Sequence, residues 1–111
     1  MEKLVKGDVV VLPFPFSDLS ASKKRPAFVA ATLEGDDVVL CQITSQPHSD
    51  KYSISLLEQD FKLGNLNANS TIRPNRLFTA DKTIISYKIG TLNQNKVKEI
   101  EQKITSIFTS T

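Results

Sequence analysis

Three short segments carry side chains able to handle a phosphate. The first is Lys23-Lys24-Arg25-Pro26, where three adjacent cations run into a proline. Proline holds the residue before it extended, so Arg25 is fixed at a junction between loop and strand. A guanidinium in that position grips phosphate through a two-pronged fork and neutralises charge that builds on a phosphoryl transition state. Lys24 beside it adds a second cation. The second segment is Ile43-Thr44-Ser45-Gln46-Pro47. Adjacent hydroxyls at a strand end, Thr44 and Ser45, can donate to a phosphate oxygen while accepting from nearby backbone N–H groups. The third is Ser70-Thr71-Ile72-Arg73-Pro74-Asn75-Arg76, in which Arg73 and Arg76 flank a proline kink and could hold a backbone phosphate. Each of these residues also fits an ordinary surface role, so the weight rests on whether the chain brings them together.

Titratable groups for proton transfer are scarce. The single histidine, His48, lies four residues beyond Thr44 and can titrate near neutral pH. Asp18 is the carboxylate nearest Arg25 on its N-terminal side. One cysteine, Cys41, and one histidine exclude a disulfide framework, a Cys-based zinc site and any centre needing two histidines. Four glycines and no Gly-rich run argue against a phosphate-cradling nucleotide loop. No metal site and no cofactor is therefore expected.

The chain has 111 residues, which fits a single domain over 1–111. With 40% hydrophobic and 23% charged residues it has a globular composition. Cys41 follows Val38-Val39-Leu40 and reads as a small buried hydrophobe. No apolar run is long enough to span a membrane, and the first residues do not form a signal peptide, so no membrane partner and a cytoplasmic location are expected. The net charge is only +2. Its distribution is uneven: Lys23-Lys24-Arg25 cluster, and Lys62, Arg73, Arg76, Lys82 and Lys88 share their stretch with a single acid, Asp81. A fold joining the two stretches would present one basic face able to attract phosphates.

The elements that must position these groups are mostly short strands. Gly7 to Leu12 is a β-branched run, and Pro13 and Pro15 should send Pro13-Phe14-Pro15-Phe16 out of the sheet or to an edge. Ser17 to Lys24 reads as a loop. Pro26 to Leu33 and Val38 to Ile43 are apolar runs joined by the turn Glu34-Gly35-Asp36-Asp37, a hairpin that returns residue 44 to the level of Arg25. Tyr52 to Leu57 reads as a further strand and 64–69 as a loop. Ser70 to Arg73 and Arg76 to Ala80 read as short strands broken at Pro74, and Lys82 to Ile89 as strand or helical turn ended by Gly90. From Asn93, Val97, Ile100, Ile104, Ile107 and Phe108 recur at spacings of three and four, which predicts a C-terminal helix capped by Asn93 or Asn95. The whole is a mainly β chain: a small barrel or strongly bent sheet closed by one helix.

Gly7-Asp8-Val9-Val10-Val11-Leu12, Lys24-Arg25-Pro26-Ala27-Phe28-Val29, Ile43-Thr44-Ser45, Ser70 to Arg73, Arg76-Leu77, Ile89-Gly90-Thr91-Leu92 and the final helix, in that order, resemble the PemK/MazF toxin family. The resemblance spans nearly the whole chain. It implies an SH3-like barrel, usually a homodimer, to which exposed Phe14 and Phe16 could contribute. It implies a metal-independent endoribonuclease that cuts single-stranded RNA by attack of a 2′-OH on the adjacent phosphorus. It also implies a cognate antitoxin whose acidic disordered tail fills the RNA groove. The family's catalytic arginine and threonine fall on Arg25 and Thr44, with Ser45 beside them, and its RNA-contacting arginine falls on Arg73. The sequence departs at Asn75, where some members carry an acidic base, which leaves His48 or Asp18 as substitutes. Two alternatives accompany this reading: a non-enzymatic barrel that inhibits a protein target such as DNA gyrase, and a degenerate member that only binds RNA.

Overall fold

A computed structural model describes residues 3–14, 23–46 and 49–110. Its elements are β1 (Asp8–Phe14), β2 (Lys23–Thr32), β3 (Asp37–Thr44), β4 (Ile54–Leu56), a 3-10 turn (Glu58–Asp60), β5 (Phe61–Gly64), β6 (Ser70–Asp81), a second 3-10 turn (Lys82–Ile84), β7 (Tyr87–Leu92) and α1 (Gln94–Thr109). The seven strands form one antiparallel sheet in the order β4-β6-β3-β2-β1-β7-β5. The edge strands β4 and β5 do not pair with each other, so the mainly β barrel expected from the sequence is a half-barrel with one C-terminal helix.

Both faces of the central strands are covered, which is why they read as continuous apolar runs rather than as alternation. In β1, Val9 joins Phe28, Cys41, Ile43 and Ile72 on the face that takes Val97 and Ile100 of the helix. Val10 and Leu12 point the other way, into a layer with Val29, Leu40 and Ile85. Phe28, Leu12, Leu40, Ile43, Ile72 and Ile100 are at most 1% exposed. At roughly 1.5–3 kcal/mol for each fully buried aliphatic or phenyl side chain, these two layers are the main source of stability. The helix begins at Asn93, whose side chain accepts from the Lys96 N–H at 2.9 Å, as the capping pattern predicts. Val97 and Ile100 are buried, whereas Phe108 at the far end is 73% exposed.

Four local readings change. β2 begins at Lys23, not Pro26, because Lys23 and Lys24 pair with Phe14 and Pro13 of β1. β1 accordingly runs through Pro13 to Phe14. Proline is tolerated there because β7 pairs with β1 only from Asp8 to Val11, which leaves one side of Pro13 without a strand partner. Phe14 is 3% exposed and packs edge-on against Phe78 with ring centroids 5.2 Å apart, so it is not available to a dimer surface; Phe16 lies outside the described residues. β6 is one strand, not two: the register jumps from Gln42↔Arg73 to Cys41↔Leu77, so residues 74–76 bulge out and carry Pro74 without ending the strand. Finally, β7 runs through Gly90 to Leu92. A Cβ on Gly90 would lie 2.4 Å from the Leu63 carbonyl oxygen, so the close approach of β5 needs glycine there. β5 itself has no counterpart in the sequence reading.

The hairpin between β2 and β3 forms as expected, with Gly35 at φ +76° in its turn. Ala27 pairs with Gln42. Continuing that register by two residues places Arg25 level with Thr44.

Candidate functional site

β2 and β3 end together, and a groove of about 560 Å³ lies at those ends. Lys23, Lys24 and Arg25 come from β2, Thr44, Ser45 and Gln46 from β3 and the turn after it. Pro26 and Ile43 also line it, and residues 66–68 with Ser70 form its opposite wall. Arg25 and Thr44 belong to one row across the sheet, and Pro26 and Ile43 to the next. Adjacent rows face opposite sides of a pleated sheet, so the groove wraps around the strand ends.

Among the described residues the lining contains three cations, hydroxyls and amides, and no carboxylate. Arg25 is half-buried while Lys23 and Lys24 are exposed. Thr44 is 7% exposed, and its Oγ1 accepts from the Gln46 N–H at 3.1 Å. That bond fixes the hydroxyl and leaves its proton for donation. On the facing wall the Ser70 hydroxyl donates to the Ala68 carbonyl at 3.1 Å, which ties the 65–69 loop to the start of β6.

Four of the residues singled out in the sequence therefore meet: Lys24, Arg25, Thr44 and Ser45. Arg73 and Arg76 are not among the groove's lining residues. Arg73 is 9% exposed, and its Nη2 pairs with Asp50 Oδ2 at 2.9 Å. Arg76 is exposed in the β6 bulge, next to Asn75. His48 and Asp18 lie outside the described residues. None of Lys62, Arg73, Arg76, Lys82 and Lys88 lines the groove. Lys88 is 3.4 Å from the buried Asp8 carboxylate, and Lys82 is 3.4 Å from Asp36 near the hairpin turn, at the other end of β2 and β3 from the groove. A cavity of about 640 Å³ near that turn, with Leu4, Leu33, Val38 and Lys82 in its wall, contains none of the phosphate-handling residues.

Sequence reasoning missed Asp50. Its Oδ1 accepts from the backbone N–H groups of Tyr52 and Ser53 and from the Ser53 hydroxyl, at 2.9–3.0 Å, while Oδ2 takes Arg73. The Ser53 hydroxyl above all, then these N–H groups and the Arg73 guanidinium, hold its carboxyl below the usual range. A carboxylate so strongly satisfied is a weak base. Its job is to fasten the β3–β4 connection, which starts at the groove, to β6. The signal was an Asp with a Ser three residues on, a turn motif that marks structure as readily as function.

Cys41 is fully buried, and its thiol donates to the Arg73 carbonyl at 3.1 Å. Burial pushes the thiol from 9.0 to about 12. The folded protein should therefore resist thiol reagents at pH 8 and react quickly once unfolded, as a colorimetric thiol count with and without denaturant would read. Because the neutral thiol is favoured in the folded state, its contribution to stability is complete below pH 9 and is lost as pH rises toward 12. Rapid labelling of the native protein would contradict this placement.

Among the described residues no group of three or more His, Cys, Asp or Glu side chains could hold a metal ion. Among them, too, no helix is long and apolar enough to cross a membrane.

Fold and groove define a class: a small, mainly β domain that offers a cationic groove at paired strand ends. The family model for the PemK-like, MazF-like toxins of type II toxin–antitoxin systems matches residues 5–108, and the chain belongs to that family. A comparison with curated proteins finds no match. Solved structures give the fold independently. An endoribonuclease in complex with its cognate antitoxin from a mycobacterial species matches with a TM-score of 0.78 at 11% identity, over 98% of each chain. MazF in the MazE–MazF complex of Deinococcus radiodurans matches at 0.74 and 16% identity, over 97% of each chain. The Mycobacterium tuberculosis toxin MazF-mt6 matches at 0.71 and 15% identity, over 91% of this chain and 95% of that one.

Proposed function

We propose that this toxin-family chain is an endoribonuclease that cuts single-stranded RNA without a metal ion, in the groove at the ends of β2 and β3. The observation that carries the reading is the meeting of Arg25, Thr44, Ser45 and Lys24 in a groove with no carboxylate among the described residues that line it. A polyanion is attracted to such a groove. Family membership supports the reaction class, and matched relatives are endoribonucleases by description.

In the proposed reaction the 2′-oxygen attacks the adjacent phosphorus and the bond from phosphorus to the 5′-oxygen breaks. The products are a 2′,3′-cyclic phosphate and a 5′-OH, with one proton moved from the 2′-oxygen to the 5′-oxygen. The substrate supplies its own nucleophile, so the protein need only bind, orient and neutralise charge. Arg25 grips the scissile phosphate and stabilises charge on the phosphorane. A guanidinium gives up a proton with difficulty, so its role is electrostatic. Thr44 orients a non-bridging oxygen, and Lys24 and Ser45 hold the chain on either side. Asn75 cannot accept the 2′-OH proton and Asp50 is a weak base, which leaves His48 or Asp18 as the acceptor. The toxin acts as a homodimer and is silenced by an antitoxin whose acidic segment competes for the same cations, in line with the antitoxin complexes of its structural relatives.

The test is cleavage in EDTA. Single-stranded RNA should be cut, and an all-DNA strand of the same sequence should bind and stay intact, because it lacks the nucleophile. Cleavage of both strands, or activity restored only by added divalent metal, would overturn the reading.

A further inference from the structure

A second, smaller cavity of about 280 Å³ adjoins the groove, and Lys24, Pro26, Leu66 and Asn67 line both. Its far side is Tyr87, the first residue of β7. Tyr87 pairs with Val11 across β1, and Val11 pairs with Pro26 across β2, so the three side chains stand in one row. Val11 and Pro26 form an apolar floor, 65–67 a wall with two amide side chains, and Lys24 a cationic rim. Tyr87 is 52% exposed, so part of its ring is open to a ligand in the cavity it lines. Two strand spacings, about 10 Å, separate β2 from β7.

The geometry points to a nucleobase subsite: Tyr87 is a stacking platform, and Asn67 reads the edge of a base flanking the phosphate held by Arg25. The inference rests on the proposed endoribonuclease function and extends it to substrate choice. A base has a π-face and a hydrogen-bonding edge. An exposed phenol ring serves the first, and an amide with both donors and an acceptor serves the second. Lys24 lies where the two cavities join and is placed to hold the phosphate between the two subsites. Stacking alone is tolerant of base identity, so discrimination falls to Asn67.

The experiment measures binding of an uncleavable all-DNA oligonucleotide by fluorescence anisotropy, beside steady-state cleavage of the matching RNA. Tyr87→Ala should weaken binding and raise KM about 10-fold or more with kcat nearly unchanged, while Tyr87→Trp should keep wild-type affinity. Removing single bases along the oligonucleotide should reveal one abasic position that weakens wild-type binding and has no further effect on Tyr87→Ala. Asn67→Ala should leave affinity for the preferred base lower and its discrimination relaxed. If Tyr87→Ala binds as tightly as wild type and keeps the same abasic penalty, the subsite is wrong while the cleavage reading stands. If the wild-type protein neither binds DNA nor cuts RNA, the parent reading fails and this one with it.

Discussion

Arg25→Ala should cut the rate of RNA cleavage by about 10²–10³-fold, roughly 3–4 kcal/mol of lost transition-state stabilisation. The size follows from where charge develops. Attack by the 2′-oxygen gathers negative charge on the phosphorane oxygens, and Arg25 is the cation on the strand end level with Thr44. Lys23 and Lys24 are exposed and more freely hydrated, so their charge cannot replace a fixed fork. Arg25→Lys should recover only part of the loss, since an ammonium retains charge but not bidentate geometry. The effect should fall mainly on kcat, with binding of uncleavable DNA reduced far less. Arg25 is half-buried at the start of β2, so the thermal melt should move little. Near-wild-type turnover by a folded Arg25→Ala protein would remove Arg25 from the mechanism.

The second large effect concerns stability. Asp8→Ala should destabilise the fold by about 3–5 kcal/mol, a large share of the roughly 5–15 kcal/mol that a domain commands. Asp8 is fully buried. Its Oδ2 accepts from the Val5 N–H at 2.9 Å, and its Oδ1 accepts from the Thr91 hydroxyl at 3.0 Å with Lys88 Nζ at 3.4 Å. One carboxylate thus ties the segment before β1 to β7 on the other side. Alanine would strand the Val5 backbone donor and the Thr91 hydroxyl and take away the carboxylate beside Lys88, itself only 25% exposed. Asp8→Asn keeps an acceptor for one of these donors and should cost less. Denaturant titration reads the difference, and the melting temperature of Asp8→Ala should fall by on the order of 15 °C. A loss under about 1 kcal/mol would show that the network is not what joins these segments.

What the sequence disclosed follows from how local each contact is. The Arg25–Thr44 juxtaposition was legible because a short turn at Gly35 joins the two strands, and antiparallel pairing then fixes the level of their far ends. The helix was legible from its spacing and from Asn93. Lys23 and Lys24 read as loop because their strand partners, Phe14 and Pro13, follow a proline-rich pattern that usually ends a strand. Pro74 read as a break for the same reason, although the bulge at 74–76 absorbs it. β5 is four residues long and mostly exposed, so no periodicity marks it; only its pairing with β7 creates it. The cations of the second basic segment do not line the groove, and acids distant in sequence pair with two of them: Asp50 with Arg73 and Asp8 with Lys88. Tyr87 carried no signal of its own. Its meaning comes from facing Val11 and from the 65–67 wall, contacts that only the folded sheet supplies.

The central claim is that the RNA supplies the nucleophile and the groove supplies the charge. Mass analysis of the fragment ends formed in EDTA tests it most directly. The account predicts a 2′,3′-cyclic phosphate on one fragment and a 5′-hydroxyl on the other, in yields that fall with Arg25→Ala. Fragments ending in a 3′-hydroxyl and a 5′-phosphate would mean that water or a protein group attacks instead, and would contradict it.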